Sequence, residues 1–216
     1  MPSLGFSRPS LGYGRMIRLV PAFFLLIAAA SWGGVSSSAT AASPDASRDF
    51  VQQLGEQTIE ILSNENFTEE DRLIHYRALL REGFAVDTIG RFALGRYWRA
   101  ATPALREEYL FLFQEFVLDI YSKRLDGFSG MSFVVTASQS IDETDTMVST
   151  EINGDDGPPI RVGYRVREIG DKLFVVDVLV EGISLIVTQR SEFASIINRD
   201  GLEGLIEKLR QYTKSN

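Results

Sequence analysis

Two carboxylates, Asp177 and Glu181, stand inside an apolar run, VVDVLVEGISLIV, from Val175 to Val187. An acid in such a run costs free energy unless it is paired, and acids with perturbed titration cluster at active sites. Tyr164 is a hydrogen-bond donor that could stand with Asp177, and an acid and a donor inside one cavity are the parts of a proton-transfer site. Other chemistries lack their parts. The chain has one histidine, His75, and no cysteine, which argues against a zinc centre, a Ser-His-Asp triad or thiol chemistry. It has no glycine-rich phosphate loop of the P-loop or dinucleotide type.

Side-chain phase argues against proton transfer as well. Thirteen extended residues would reach about 43 Å, more than twice a typical strand, so the run must bend, and Gly182 is the natural place. Before it, Phe174, Val176, Val178 and Val180 share one face, and Val175, Asp177, Leu179 and Glu181 the other. The purely apolar face should look inward. After it, Ile183, Leu185 and Val187 carry the apolar pattern in the opposite phase, which a one-residue bulge at Glu181-Gly182 would bring back inward. The preceding strand, Ile160 to Glu168, alternates cleanly. A three-residue loop, Gly170 to Lys172, puts Tyr164 opposite Val178, Val162 opposite Val180, Arg165 opposite Asp177 and Arg161 opposite Glu181. Each such opposite-charge pair contributes roughly 0.2–1 kcal/mol. Both acids are therefore expected to be paired on the outer face.

The elements that hold this strand follow from pattern. Ser43-Pro44 starts a helix carrying Phe50, Leu54, Thr58 and Ile61. Thr68 with Asp71 approximates a capping box for a second, ending near Gly83 at a C′ position. Asp87 caps a short third that stops at Gly95. Thr102-Pro103 opens the longest, with Leu105, Tyr109, Leu112, Phe113, Phe116, Val117, Ile120 and Leu125 at helical spacing. Strands are predicted at Ser132–Ser140, Thr146–Ile152 and Ile160–Glu168. Ser191 caps a short helix through Ile197, and Asp200 starts a final amphipathic one. Helices, then antiparallel strands, then helices make an α+β fold, a curved antiparallel sheet wrapped by helices.

The first 41 residues differ from the rest. They hold Arg8, Arg15 and Arg18, no acid, a 12-residue apolar run from Leu19 to Ala30, and Ala39-Thr40-Ala41. This reads as a cleavable secretory signal peptide, the run being too short to span a bilayer; translation from Met16 would preserve it. Residues 42–216 then form a single domain. Losing the three arginines takes 22 basic residues to 19 against 29 acidic, so the charge goes from −7 to −10. That disfavours nucleic acid and anionic membrane surfaces as partners.

Three stretches carry a resemblance together: VDTIGRFALGRYWRAATPALREEYLFLFQEFV from Val86, VVDVLVEGISLIVTQRSEFASII from Val175, and GLEGLIEKL from Gly201. They resemble the MlaC-type periplasmic lipid-binding proteins, the toluene-tolerance family, one branch of which is associated with hopanoids. The resemblance covers essentially all of the chain beyond the signal peptide. It implies a mixed fold related to the NTF2-like cone, with an apolar cavity for lipid tails between sheet and helices. It also implies a non-enzymatic soluble shuttle without cofactor or metal. Such a shuttle carries phospholipid, or a hopanoid lipid, between an outer-membrane lipoprotein–porin complex and an inner-membrane ABC transporter.

A pocket for acyl chains needs a deep apolar lining. The candidates are Tyr109, Phe113, Phe116 and Val117 on the long helix, and Phe133, Tyr164, Val176, Val178, Val180 and Leu185 from the sheet. Tyr97 and Trp98 are candidates for the rim. In IGRFALGRYWRA, Arg91, Arg96 and Arg99 suit a phosphate headgroup; alternatively Arg96 and Arg99 pair with Glu107 or Glu108. The same apolar residues would also serve an ordinary core. Two other classes remain, a proton-transfer enzyme of NTF2-like shape and a pure adaptor for an envelope complex.

Overall fold

In the computed structural model, residues 43–122, 132–154 and 158–214 are described. The predicted signal peptide, Leu125 and part of the turn after Asn153 lie outside these residues. The chain begins with α1 (Pro44–Ser63), α2 (Glu69–Gly83), α3 (Val86–Leu94), the single turn α4 (Tyr97–Ala100) and α5 (Pro103–Ser122). Strands β1 (Ser132–Ser140), β2 (Asp145–Asn153), β3 (Ile160–Ile169), β4 (Lys172–Val180) and β5 (Ile183–Ser184) follow, and α6 (Leu185–Lys214) closes the chain. The fold is α+β: one antiparallel sheet in the order β1-β2-β3-β4-β5, with the helices packed against it.

Local signals set most helix starts. The Ser43 hydroxyl accepts from the Ala46 amide at 3.1 Å with Pro44 in the first turn, and Thr68 and Asp71 form a reciprocal capping box. Three helix expectations are corrected. Gly83 is not a left-handed C′ residue: it is the last residue of α2, and a Cβ there would stand 2.7 Å from Leu54 of α1. Asp87 lies in the first turn of α3 rather than capping it, and no side chain caps that helix. Ser191 is inside α6, where its hydroxyl donates to the Val187 carbonyl; the helix starts seven residues earlier than predicted. The break expected near Asp200 is present, as Gly201 at φ 77°.

The sheet register agrees with expectation at four places but arises differently. Tyr164 pairs with Val178, Val162 with Val180 and Arg165 with Asp177, and Arg161 hydrogen-bonds Glu181. The β3–β4 loop, however, has two residues, Gly170 and Asp171, because Ile169 pairs with Lys172. A two-residue loop alone would leave the register off by one. The correction comes at Val175-Val176, where two residues of β4 oppose one step of β3 between Arg165 and Val166. This bulge restores the apolar phase.

The second half of the opening run does not continue as a strand. Glu181 at φ 48° and Gly182 at φ 80° form a tight hairpin turn, the conformation in which both central residues are left-handed. Ile183 and Ser184 fold back onto Val180 and Leu179. The bulge predicted at Glu181-Gly182 is replaced by this turn, and Ile183 and Val187, predicted inward, are 65% and 51% exposed.

Two apolar clusters hold the molecule together. The larger joins α3, α5 and α6 around Tyr109, Phe113, Phe193, Leu205 and Ile206. Tyr109 is fully buried and its hydroxyl donates to the Gly90 carbonyl at 2.9 Å. Burial pushes its phenol pKa up. The smaller cluster lies between α1 and the sheet, with Val51, Val135, Val148 and Val166 buried and Phe50, Phe133, Tyr164 and Leu173 packed around them. Helix α1 comes close to β1 because Gly55 leaves room for the Phe133 ring, which a Cβ would meet at 2.4 Å.

Candidate functional site

One face of the sheet looks toward α1, and its burial changes along the strands. At one end Thr146, Val148, Val166 and Val175 are completely buried. Toward the other, Phe133, Ile152, Tyr164, Val178 and Val180 keep part of their surface, interleaved with the buried Val135, Thr150 and Val162. The register places these five in adjoining rows of the same face. Phe133 and Tyr164 meet edge to face at 6.2 Å between ring centres. Burial pushes the Tyr164 phenol pKa up, and Tyr76 of α2 adds to the shift. A side chain can be surrounded by protein and still accessible when it borders internal free space rather than the outer surface. Central strands whose inward apolar side chains are only half-covered are what a ligand-holding sheet requires.

The predicted lining residues do not form one group. Phe133 and Tyr164 belong to the α1–sheet cluster, and Val178 and Val180 extend their rows on β4. Val176 is 7% exposed and sits in the bulge. Tyr109 and Phe113 are buried in the helical cluster, with ring contacts to Phe193 at 6.2 and 6.1 Å. Phe116 and Val117 pack against that cluster half-covered, as do Tyr97 and Trp98. Leu185, the first residue of α6, is half-buried. Spacing on the sequence cannot separate a helix–helix core from a helix–sheet cavity, since both ask for the same residues. Helical spacing with Leu73 and Leu80 already puts Tyr76 on the inner stripe of α2; the inward position of Ile152 was missed, although the alternation of β2 is a usable signal for it.

Asp177 and Glu181 have separate fates. Glu181 accepts from the Arg161 guanidinium at 2.8 and 3.1 Å and from the Arg161 amide at 2.8 Å. These hydrogen bonds hold its carboxyl below the usual range. Asp177 does face Arg165 across the strands, but their side chains do not pair. It is 9% exposed and accepts from the Ser184 hydroxyl at 2.6 Å and the Ile186 amide at 3.2 Å. Ser184 in turn accepts from the Val187 amide at 3.1 Å. Ser184 and Asp177 are thus a tandem cap on the first turn of α6. Asp177 and Val178 are neighbours in a strand, so Asp177 and Tyr164 project from opposite faces. The acid and donor of a proton-transfer site are not brought together.

Arg165 turns instead to β2. Asp145 is completely buried, bonded by the Arg165 Nε and by the Arg167 Nη2 at 2.8 Å, while Asp142 receives the Arg165 Nη2 at 2.9 Å. Burial pushes the Asp145 carboxyl up, but the hydrogen bonds from Arg167 and Arg165 outweigh it and hold it below the usual range.

Replacing Asp177 with Ala should cost about 1–2 kcal/mol, the value of a helix cap and its hydrogen bonds. Amide exchange at Ile186 and Val187 should accelerate ahead of the rest of α6. Unchanged exchange there would refute the capping role.

A family model described as MlaC protein matches residues 52–211. The chain belongs to the MlaC protein family. The matched span runs from early α1 to the last turns of α6, so it takes in the helical cluster, all of the α1–sheet cluster but Phe50 and Val51, and the half-covered end of the sheet. Toluene tolerance protein ttg2D of Pseudomonas putida is 26% identical over 106 residues, 49% of this chain. That match also spans 49% of the relative, about half its length. A phospholipid-binding protein from Ralstonia solanacearum, solved in complex with a phospholipid, superposes with a TM-score of 0.68. It is 21% identical, and the likeness covers 78% of this chain and 97% of that one. At this identity the likeness is one of fold. This MlaC-family chain therefore shares an architecture in which a phospholipid has been seen bound. No helix among its described residues is long and apolar enough to cross a membrane.

Proposed function

We propose that this protein is a periplasmic lipid carrier. It encloses acyl chains between the half-covered end of the sheet and the helices above it, and serves as the soluble component of an ABC-type lipid transport system. The observation that carries this reading is the burial contrast on one sheet face. Val148 and Val166 are closed off, while Tyr164 and Val178, in the same row as Val148, and Val180, beside the buried Val162, stay partly accessible. Membership of the MlaC family and the phospholipid in the fold neighbour support it. The signal-peptide pattern of residues 1–41 supports the periplasmic location.

The energetics suit carriage without chemistry. Each methylene removed from water contributes ~0.8 kcal/mol, so tails are held without covalent bonds or cofactor. Release then requires a partner that opens the site rather than simple collision with a bilayer. In this reading Phe133, Tyr164, Val178 and Val180 line the tails on the sheet side. Val176 and Leu185 close the adjoining edge, Phe116 and Val117 lie on the helix side, and Tyr109 and Phe113 form the packed floor behind. Native mass spectrometry of protein purified from its own cells should show co-purified lipid, and extraction should identify it as phospholipid or hopanoid. Protein that is ligand-free and takes up no lipid from phosphatidylethanolamine–phosphatidylglycerol vesicles would overturn the proposal.

A further inference from the structure

The surface made by α3, α4 and the first half of α6 stands apart from the sheet face that holds lipid in this reading. From Ala85 to Arg106 the chain carries four arginines and one acid, Asp87, in a protein whose net charge is −7. None of these four arginines, nor Arg190 of α6, forms an ion pair among the described residues. Glu108, one of the acids expected to meet Arg96 or Arg99, is taken by Arg210.

Four of the five guanidinium groups, all but that of Arg99, are ordered by aromatic rings instead. Arg91 and Arg106 lie over Trp98 at 5.4 and 5.3 Å, Arg96 over Tyr97 at 4.9 Å, and Arg190 over Phe92 at 5.0 Å. Contacts join these pairs into one patch. Arg190, stacked on Phe92, also lies against Gly95, and the Tyr97 hydroxyl donates to Asn198 of α6 at 2.6 Å. Arg106 has a structural task, donating to the carbonyls of Trp98 and Arg99. The guanidinium groups of Arg91, Arg99 and Arg190 donate no hydrogen bond among the described residues, which keeps their donor forks free.

We propose that this patch is a docking face for a carboxylate-rich surface of a partner protein. A stacked guanidinium has lost much of its rotamer freedom before binding, so less is lost when its fork meets a carboxylate. Arg, Trp and Tyr in one patch, with Phe92 at 44% and Val187 at 51% exposure beside Arg190, have the composition of an interface centre. The charge asymmetry supplies steering: an acidic partner is repelled by the rest of this molecule and attracted here, which fixes the docking orientation. The same overall negative charge opposes adsorption to an anionic bilayer.

The probe is an acetylated octaglutamate peptide, titrated against the full chain by calorimetry. Vesicles of phosphatidylcholine with phosphatidylglycerol are tested in parallel by co-sedimentation. The fourfold variant R91Q/R96Q/R99Q/R190Q should bind the peptide at least about tenfold more weakly than the unmodified protein. Binding to the unmodified protein should vanish as salt is raised toward 1 M. R161Q, which removes an arginine already paired on β3, should bind like the unmodified protein. If the fourfold variant does not fold, R99Q/R190Q is read in its place. Equal peptide binding by the patch variants and the unmodified protein, equal loss in R161Q, or preference for the vesicles over the peptide would each overturn the assignment.

Discussion

Val178→Trp protein should fold normally and arrive from cells stripped of lipid. Val178 is half-covered in a central strand beside Tyr164, so in the proposed carrier the indole enters the space that holds a tail rather than a closed core. An indole there displaces the room of two or three methylenes, and at ~0.8 kcal/mol each the affinity for a tail falls roughly 15- to 60-fold. In a closed core the same insertion would force strain of about 1–3 kcal/mol. The two alternatives differ in both readouts, thermal midpoint and lipid content by mass spectrometry. Retained lipid, or a midpoint lowered as overpacking predicts, would sink the cavity reading. The variant also separates carriage from adaptor function, because binding to an envelope partner should persist when lipid is gone.

Asp145→Asn should be the most destabilising single charge change in the sheet. The carboxylate is completely buried, and the two guanidinium groups that hold it are about one-third exposed. Removing one partner from a buried pair costs about 3–5 kcal/mol. Because both arginines can regain water, about 2–3 kcal/mol is expected, which is roughly 4–12 °C in midpoint for a domain of this size. The pH dependence has a definite sign. Asp145 titrates below its unfolded value, so its stabilisation is fully present above about pH 4 and is lost as the pH falls through the folded value. Asp142, whose carboxyl is lowered to about 2 by hydrogen bonds from Thr144 and Asp145, is lost over the same acid range. Urea midpoints measured from pH 6 down to pH 2 should fall in the unmodified protein and stay flatter in Asp145→Asn. Parallel curves would show that Asp145 is not a linked group.

These two sites illustrate how differently the parts of this molecule are written in its sequence. The caps of α1 and α2 were legible because a cap is a contact between residues three apart, Ser43 with Ala46 and Thr68 with Asp71. The β3–β4 register was also legible, since opposite charges and apolar rows have to coincide across two strands. Its cause was not. A three-residue loop and a two-residue loop followed by a bulge produce the same register at Tyr164 and Val178, and side-chain pattern registers only the outcome. The start of α6 was hidden for a related reason. Ser184 is a good cap, but it sits in a run of Ile, Leu and Val that favours a strand on propensity, and its helix is stabilised by Asp177 from the neighbouring strand.

The fate of the acids turns on the same distinction. Sequence alone determined that Asp177 and Glu181 lie on the face opposite Tyr164, because strand alternation is a property of the backbone, and this was enough to set proton transfer aside. It could not determine which arginine each acid would meet. Arg161 reaches Glu181 along a direct cross-strand row, whereas Arg165 is drawn to Asp145 and Asp142, whose positions depend on the β1–β2 turn. The candidate cavity belongs wholly to tertiary structure. The aromatic stripe of α5 and the valine rows of the sheet are equally suited to a closed core and to a lipid site. Tyr109 and Phe113 close against α6 while Tyr164 and Val178 stay partly open because of where the helices cross the sheet. A covered and a half-covered side chain have the same identity, and only the packing of distant segments decides between them.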